Sequence, residues 1–328
     1  MGTIRHSQVT WSLKFTVERV ALQFLSSIGQ SPLVQLKRMT SKDQAEVWVK
    51  YEGNNPTGSY KDRMVAGVLA AKIARGELKE GDRICEYTGG STGTSLAFAS
   101  SILGLKFTAV TSNAFAQNKL ESMRAFGAEL VLVESEDSRL TPELFEELKI
   151  TTMRMVEEEQ VHYFDQFASP DVRPSYKGIG SEIVSEIGPE IDVYCAAVGT
   201  GGSLMGSRDG LFAAGAKPKV IALEPEQSPR LTRGHGGGHK IDGVALGFVP
   251  PFLDINLIDE SRALDQELAF ETCRRLAREE GILAGSSTGL NVAAALEIAS
   301  ELGPGKRVVT IACDNGMKYF GGVPFSSR

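Results

Sequence analysis

Short runs of apolar, often β-branched residues alternate along the chain with longer segments whose apolar positions recur at helical spacing. The runs predict strands at residues 47–50, 83–87, 106–111, 129–133, 161–164, 193–198, 220–223 and 308–312. The longer segments predict helices, among them residues 62–75, 119–126, 180–187, 269–280 and 290–301. This alternation predicts an α/β protein whose twisted, mostly parallel sheets are flanked by helices on both faces.

Three glycine-rich turns share one setting, in which an apolar run leads into the turn and a helix follows it. They are residues 88–93 (Thr-Gly-Gly-Ser-Thr-Gly), 199–203 (Gly-Thr-Gly-Gly-Ser) and 285–289 (Gly-Ser-Ser-Thr-Gly). Ligands of open α/β sheets bind beyond the carboxyl ends of the strands. A single turn of this kind carries little information, because glycine also serves ordinary turns. Three of them indicate one shared ligand cleft.

The turn at residues 199–203 has the composition of a phosphate cradle. Consecutive glycines let backbone N–H groups converge, and the helix start adds a partial positive charge, so the turn favours an anion. A plain strand-to-helix turn is the simplest alternative. A dinucleotide site is the sharper one, because Glu224 follows roughly 20 residues on, where a ribose-binding acid would stand. Leu204 replaces the third glycine of that fingerprint, so a phosphate monoester fits better.

A lysine is predicted at the start of a helix. Ser59 and Asp62 have the spacing of a capping box, which makes Ser59 the expected N-cap and places Lys61 in the first turn. The helix dipole and burial would both lower the lysine pKa, and a neutral amine is the form that attacks an aldehyde. A solvated lysine is the commoner alternative. With the phosphate cradle, Lys61 indicates pyridoxal 5′-phosphate, whose ring nitrogen Ser287 can hydrogen-bond.

Composition and charge narrow the possible partners. The net charge of −6 with dispersed lysines and arginines gives no support for a nucleic-acid or anionic-membrane partner. The charge-free stretch at residues 88–105 is rich in glycine, serine and threonine and favours strand, loop and helix over a membrane span. The four cysteines form no C-x-x-C pair, so buried thiols in a reducing, cytoplasmic compartment are expected. The four histidines suggest no metal site.

Four segments carry a family resemblance: residues 28–34 (Ile-Gly-Gln-Ser-Pro-Leu-Val), 54–63 (Asn-Asn-Pro-Thr-Gly-Ser-Tyr-Lys-Asp-Arg), 199–203 and 314–319 (Asp-Asn-Gly-Met-Lys-Tyr). In these segments the chain resembles the cysteine synthase and cystathionine β-synthase family, which is fold type II of the pyridoxal phosphate enzymes and has a tryptophan synthase β-like architecture. Residues 239–243 and 247–250 resemble O-acetylserine sulfhydrylases in particular.

The resemblance implies a role for each matching position. Lys61 would be the Schiff-base lysine and the general base. The cofactor-binding residues would be Lys61, Ser91, Gly199, Thr200, Gly201, Gly202, Ser203 and Ser287. The substrate-binding residues would be Thr88, Gly89, Gly90, Thr92, Gln166 and Gly243, with the turn at 88–92 and Gln166 holding the α-carboxylate.

The turn at residues 88–93, named here the substrate loop, departs from the family pattern Thr-Ser-Gly-Asn-Thr-Gly. Gly89 replaces the usual serine, and Ser91 replaces the asparagine that contacts the cofactor ring hydroxyl. Tyr87 stands for a common proline and Phe115 for a frequent methionine. Gly89 is expected to open room beside the substrate and Ser91 to remove bulk near the ring. We therefore expect a donor or nucleophile larger than acetate and sulfide.

Two domains are expected, with the cofactor in the cleft between them. Residues 21–45 and 166–328 would form the larger, cofactor-binding domain, and residues 46–165 the smaller, substrate-side domain. Residues 1–20 would be an N-terminal extension. A homodimer is implied only by the resemblance.

The expected reaction is a β-replacement on a small amino acid. A group leaves the β-carbon and a small nucleophile takes its place, by default O-acetylserine and sulfide giving cysteine. The alternatives are a pyridoxal phosphate-dependent β-elimination or dehydration, a β-replacement of specialised metabolism with another donor or nucleophile, and a non-catalytic binding protein. A nicotinamide-dependent dehydrogenase is a further alternative, but it leaves Lys61 without a role.

Overall fold

The computed structural model describes residues 26–135 and 141–325, so the predicted extension at 1–20 lies outside the described residues. The chain divides into two compact units. Of the described residues, the smaller unit contains 26–29, 72–135 and 141–163, and the larger contains 30–71 and 164–325.

The elements are named in chain order. The strands are β1 (Leu33–Gln35), β2 (Glu46–Tyr51), β3 (Arg83–Tyr87), β4 (Lys106–Thr111), β5 (Glu129–Leu132), β6 (His162–Tyr163), β7 (Val193–Ala197), β8 (Lys219–Pro225), β9 (Glu260–Leu264) and β10 (Arg307–Ala312). The α-helices are α1 (Lys61–Ala74), α2 (Ser91–Leu103), α3 (Gln117–Ala125), α4 (Pro142–Glu159), α5 (Val172–Ser175), α6 (Lys177–Ile187), α7 (Gly202–Ala213), α8 (Arg230–Arg233), α9 (Gln266–Arg275) and α10 (Ser286–Leu302). Leu276–Glu280 continues α9 as a π-helix, and Glu52–Asn54, Ile255–Leu257 and Gly316–Tyr319 are 3₁₀ turns.

The larger unit is built on a six-stranded sheet in the order β1-β2-β10-β7-β8-β9. All neighbouring strands are parallel except β1 and β2. Every residue of β7 is buried, as expected for a central strand of a parallel sheet covered on both faces. Helix α10 contributes Leu290, Val292 and Ile298 to the same apolar core.

The smaller unit is built on a four-stranded parallel sheet in the order β5-β4-β3-β6. Val110 of β4 packs against Leu144, Leu148 and Met155 of α4 in its apolar core. The α/β class with mostly parallel sheets, expected from the alternating pattern, is confirmed in both units.

The boundary between the units differs from the expected one. Residues 46–71 were expected in the smaller domain, but β2 pairs in parallel with β10, and Val47 lies opposite Val308 in that pairing. This pairing, between β1 and β10 in the large sheet, brings β2 and most of α1 into the larger unit. Strands β1 and β9 were not predicted. They are edge strands, and in β9 only Leu264 is buried, so no apolar run marks it.

Within residues 26–135 and 141–325, no helix is both long and apolar enough to cross a bilayer. The same residues contain no cluster of three or more His, Cys, Asp or Glu side chains that could hold a metal ion.

Candidate active site

Lys61 is the first residue of α1. Its backbone N–H donates to the Ser59 hydroxyl at 3.3 Å, while the Asp62 carboxylate accepts hydrogen bonds from the N–H and the hydroxyl of Thr57, at 2.8 and 2.6 Å. The capping box was expected to join Ser59 and Asp62. The carboxylate instead bonds back to Thr57, so the turn before the helix is tied to its first turn and the start of α1 is fixed.

The Lys61 amine has a lowered pKa. Burial lowers the pKa of Lys61 from 10.5 to about 8, and nearby Cys313 and Asp314 oppose the shift. Although the residue is only partly buried by surface area, its amine is surrounded by protein atoms, and Nζ lies 4.9 Å from the centroid of the Tyr60 ring. A large fraction of the amine is therefore neutral near pH 8, as expected for a lysine that attacks an aldehyde.

Two residues connect Lys61 to the other predicted cofactor contacts of the larger unit. The backbone N–H of Tyr60 donates to the carbonyl oxygen of Cys313 at 2.9 Å, and the N–H of Cys313 donates to the Thr288 hydroxyl at 3.0 Å. The Cys313 thiol hydrogen-bonds Ser287, and the Tyr60 hydroxyl hydrogen-bonds Ser203. The glycine-rich turns at 199–203 and 285–289 are thus both joined to the segment that carries Lys61.

The turn at 199–203 has the shape of an anion cradle. A Cβ on Gly199 would come closer than 3.0 Å to the Gly243 carbonyl oxygen, and one on Gly201 would lie 2.9 Å from the Leu253 nitrogen. Gly201 is the N-cap of α7 with φ +83 and has no side chain to cap the helix, while the Gly202 N–H lies 3.4 Å from the Thr200 hydroxyl. The glycine-rich start of α7 lets a phosphate approach its N–H groups closely, so the residues fit the phosphate group of the expected cofactor.

The segment at residues 239–245 connects the two turns. The N–H of Asp242 donates to the Ser286 hydroxyl at 3.2 Å, and the N–H of Ala245 donates to the Val198 carbonyl at 2.8 Å. Gly243 lies between these two anchors with φ +77, a backbone conformation that glycine adopts without strain. Of the predicted substrate-binding residues, Gly243 is therefore placed beside Gly199.

Glu224 has a structural role that removes the main support for a dinucleotide site. Its carboxylate accepts hydrogen bonds from the N–H groups of Leu231 and Thr232, at 2.7 and 2.8 Å, and from the Thr232 hydroxyl at 2.7 Å. These bonds occupy the acid on the short helix α8, so it is not presented to a ribose.

The substrate loop lies in the smaller unit, between β3 and α2. The N–H of Thr88 donates to the Val110 carbonyl at 2.9 Å, and the N–H of Gly90 lies 3.4 Å from the Thr88 hydroxyl. Gly90 is the N-cap of α2, Ser91 is its first residue, and Thr92 is buried. Gln166 is also buried but belongs to the larger unit.

Residues 24–314 match the family described as "Pyridoxal-phosphate dependent enzyme". The chain belongs to this family. It is 36% identical over 297 residues to a cysteine synthase of Staphylococcus aureus, which covers 89% of this chain and 93% of the relative. It is also 36% identical over 303 residues to O-ureido-L-serine synthase of Streptomyces lavendulae, covering 90% of each.

Solved structures of related enzymes also match this chain. The crystal structure of O-ureido-L-serine synthase matches with a TM-score of 0.84 and 34% identity, covering 92% of this chain and 94% of that chain. Cysteine synthase from Entamoeba histolytica matches with a TM-score of 0.86 and 30% identity, covering 93% and 90%. The family resemblance, the type II fold and the use of pyridoxal phosphate are thereby confirmed. The reaction is a pyridoxal phosphate-dependent β-replacement on a small amino acid.

One expectation about this member of the family is wrong. Gly89 was expected to open room beside the substrate, but the ring of Phe115 fills that room. A Cβ on Gly89 would come closer than 3.0 Å to three atoms of the ring. The substitutions at positions 89 and 115, which the sequence presents as two separate departures, are therefore a single steric unit.

Sequence reasoning missed the contacts made by Tyr60 and Cys313. Both residues stand beside motifs that were recognised, Tyr60 directly before Lys61 and Cys313 directly before the 314–319 motif. The position of each residue directly before a recognised motif residue or motif was the signal that could have pointed to it. Their hydrogen bond joins segments that are distant in the chain, so the sequence alone does not show it.

Proposed function

We propose that Lys61 forms the covalent link to pyridoxal phosphate, that the N–H groups of residues 200–203 bind its phosphate, and that the Ser287 hydroxyl bonds its ring nitrogen. The observation that carries the proposal is the network around Lys61, whose pKa is about 8 and whose segment is hydrogen-bonded through Cys313 to the turn that holds Ser287. The start of α7, opened by glycines, supports the phosphate role.

The bound cofactor supplies an aldehyde for amines and a ring that withdraws electrons from the α-carbon of the amino acid. The Lys61 amine, whose lowered pKa of about 8 leaves a large fraction neutral near that pH, accepts the α-proton. Backbone N–H groups and hydroxyls of residues 88–92 bind the α-carboxylate of the substrate in this proposal.

The nature of Ser287 favours a particular class of reaction. A hydroxyl cannot stabilise a protonated ring nitrogen as a carboxylate would, so the ring is a weaker electron sink. Chemistry in which a β-leaving group departs promptly suits such a site better than chemistry through a long-lived carbanion. β-Replacement meets this condition, and so does β-elimination, which is the alternative when no nucleophile is present.

The default donor and nucleophile are O-acetylserine and sulfide. A specialised β-replacement with another pair is a second candidate, because Gly89 and Phe115 depart from the family pattern together and a relative that covers 90% of the chain is an O-ureido-L-serine synthase. Measuring kcat/KM for O-acetylserine with sulfide, against other β-substituted serines and other nucleophiles, decides between the two.

The test of the cofactor site is reduction with borohydride followed by peptide mapping. The holoenzyme should lose its visible absorption band, and the reduced adduct should be found on Lys61. Lys72→Met is the matched control on the same helix, because the Lys72 amine donates to the Tyr163 carbonyl at 2.9 Å and has no proposed role. Lys72→Met should still give the adduct on Lys61, whereas an adduct on another lysine of the wild type contradicts the assignment.

We also propose that the protein is a cytoplasmic homodimer. The resemblance to the family supports the dimer. Four buried cysteines, all free thiols, support a reducing compartment. Light scattering of the holoenzyme measures the mass directly, and a mass of one chain of 35.3 kDa contradicts the dimer.

A further inference from the structure

Phe115 lies against the backbone of the substrate loop. The substrate loop leaves the end of β3 and Phe115 follows the end of β4, and these two strands are parallel neighbours in which Tyr87 lies opposite Val110. Their carboxyl ends therefore lie at the same edge of the sheet. An added Cβ on Gly89 would meet Cγ, Cδ1 and Cδ2 of Phe115, so the ring occupies the place of a side chain at position 89.

The ring is held from behind by the apolar core of the smaller unit. It meets the Phe145 ring of α4 nearly edge-on, with centroids 6.3 Å apart and an interplanar angle of 76°. It also packs against the cluster that contains Val110 and Leu148. Its backbone N–H donates to the Ser112 carbonyl at 3.2 Å. Because the ring is fixed on this side, a side chain at position 89 could enter only by displacing it.

The constraint is specific to position 89. A Cβ on the next residue, Gly90, would have nothing within 4 Å. Gly90 has φ −122, which any residue can adopt. Crowding by Phe115 therefore does not extend along the loop, and it falls on the position where the family carries serine.

We infer that Phe115 is a specificity-determining residue of the substrate loop. The inference rests on the proposed function and names the class of substrate. The ring is only partly buried, so it gives the loop an apolar aromatic surface where the family pattern places a serine hydroxyl. Such a surface favours a β-substituent or nucleophile with a planar or apolar face over a small, strongly hydrated one such as sulfide.

A double-mutant cycle on the cofactor-free protein tests the contact itself. Gly89→Ser should lower the thermal midpoint by several degrees in the wild-type background and have little effect in the Phe115→Ala background, because the smaller side chain leaves room. Phe126→Ala is the matched control, since Phe126 also pairs edge-on with another ring, Phe98 at 5.6 Å, whereas the three atoms nearest to a Cβ on Gly89 all belong to Phe115. It should leave the effect of Gly89→Ser unchanged. An equal loss in the Phe115→Ala background overturns the inference.

The contact can still be tested if Gly89→Ser does not fold. A variant that folds only together with Phe115→Ala supports the contact. If neither folds, Gly89→Ala replaces Gly89→Ser in the same cycle, because its single methyl group makes the smallest possible demand on the ring.

Ligand selectivity tests the substrate class. Calorimetry on the holoenzyme gives the dissociation constants of L-phenylalanine and L-alanine, which share the α-carboxylate, differ in the β-substituent and carry no β-leaving group. Phe115→Ala should weaken the binding of L-phenylalanine by about tenfold more than that of L-alanine. Phe126→Ala should leave the ratio unchanged. An unchanged ratio in Phe115→Ala overturns the inference.

Measuring turnover distinguishes a failure of this inference from a failure of the proposed function. The ratio of kcat/KM for thiophenol and for sulfide, with one donor, should fall in Phe115→Ala in the same direction as the binding ratio. A holoenzyme that binds both amino acids but replaces no β-substituent contradicts the proposed function, while the binding ratio still decides the role of Phe115.

Discussion

The backbone N–H of Tyr60 donates a 2.9 Å hydrogen bond to the carbonyl oxygen of Cys313. Tyr60 precedes Lys61 at the start of α1, and Cys313 follows the end of β10. Together with the 2.9 Å bond from the Asn315 N–H to the Gly58 carbonyl, this bond fixes the position of the lysine relative to the end of β10. Because the Cys313 N–H and thiol bond to Thr288 and Ser287, the same strand end also positions the third glycine-rich turn.

The lowered pKa of Lys61 predicts a pH-dependent stability of the cofactor-free protein. Unfolding returns the pKa from about 8 to 10.5, so the unfolded chain binds more protons between these values and stability rises with pH through this window. Below pH 8 the full penalty is present. Lys61→Met removes it and should stabilise the apoprotein at pH 7 by on the order of 2 kcal/mol, a figure reduced for the partial exposure of the residue.

Urea unfolding at several pH values measures this effect. The advantage of Lys61→Met over the wild type should shrink as the pH rises from 8 toward 10.5. Lys72→Met on the same helix should show no such gain, because that variant loses the bond to the Tyr163 carbonyl. A constant difference between Lys61→Met and wild type at all pH values argues that the amine is not desolvated.

Alanine substitutions of two glycines at the ends of α7 should distinguish backbone strain from loss of phosphate binding. Gly201→Ala and Gly215→Ala both place an alanine at positive φ, +83 and +94, at opposite ends of α7. Each should lose about 1–2 kcal/mol of stability for that reason. Only at Gly201 does the new Cβ also approach the Leu253 backbone, at 2.9 Å, while Gly215 has open space.

Cofactor affinity is the measurement that separates the two variants. Gly201→Ala should weaken pyridoxal phosphate binding by about tenfold or more, and Gly215→Ala should leave the dissociation constant near the wild-type value. Equal affinities in both folded variants would place the phosphate elsewhere.

The sequence predicted the central strands because buried parallel strands are nearly continuous apolar runs. Arg83–Tyr87 and Lys106–Thr111 were predicted at the bounds that the structure has. Strand β9 was missed because the charged residues Glu260 and Arg262 interrupt it, and Arg262 pairs with Glu301 of α10. Lys61 and the turn at 199–203 could be recognised because each lies within a short, continuous sequence motif.

What the sequence did not predict depends on packing between distant segments. Gly89 and Phe115 meet only because β3 and β4 are neighbours, so the glycine alone was interpreted as added space. Glu224 was weighed as a ribose-binding acid, and only the position of α8 shows that it caps Thr232. In both cases the residue was singled out by its type and spacing, but the sequence did not show which residue it contacts.

The four cysteines should be unreactive in the native protein. Cys85, Cys195, Cys273 and Cys313 are buried, and burial raises the pKa of each thiol to about 12. At pH 8 roughly one thiol in ten thousand is then ionised, and the thiolate is the reactive form. An aromatic disulfide reagent should therefore release no colour from the folded protein and should titrate four thiols after unfolding in urea. Rapid reaction of a thiol in the folded state would contradict its burial.

Among single substitutions near the site, replacement of Arg63 is expected to cause the largest loss of stability. Its guanidinium bonds the buried Glu52 carboxylate at 2.7 Å and Glu182 at 2.7 Å. Arg63→Met leaves both carboxylates without this partner and should cost about 3–5 kcal/mol in urea unfolding. The matched control is Arg75→Met, whose pair with Glu77 is exposed and should be worth less than about 1 kcal/mol. Similar losses in the two variants would show that the buried pair contributes no more than a surface pair to holding the start of α1.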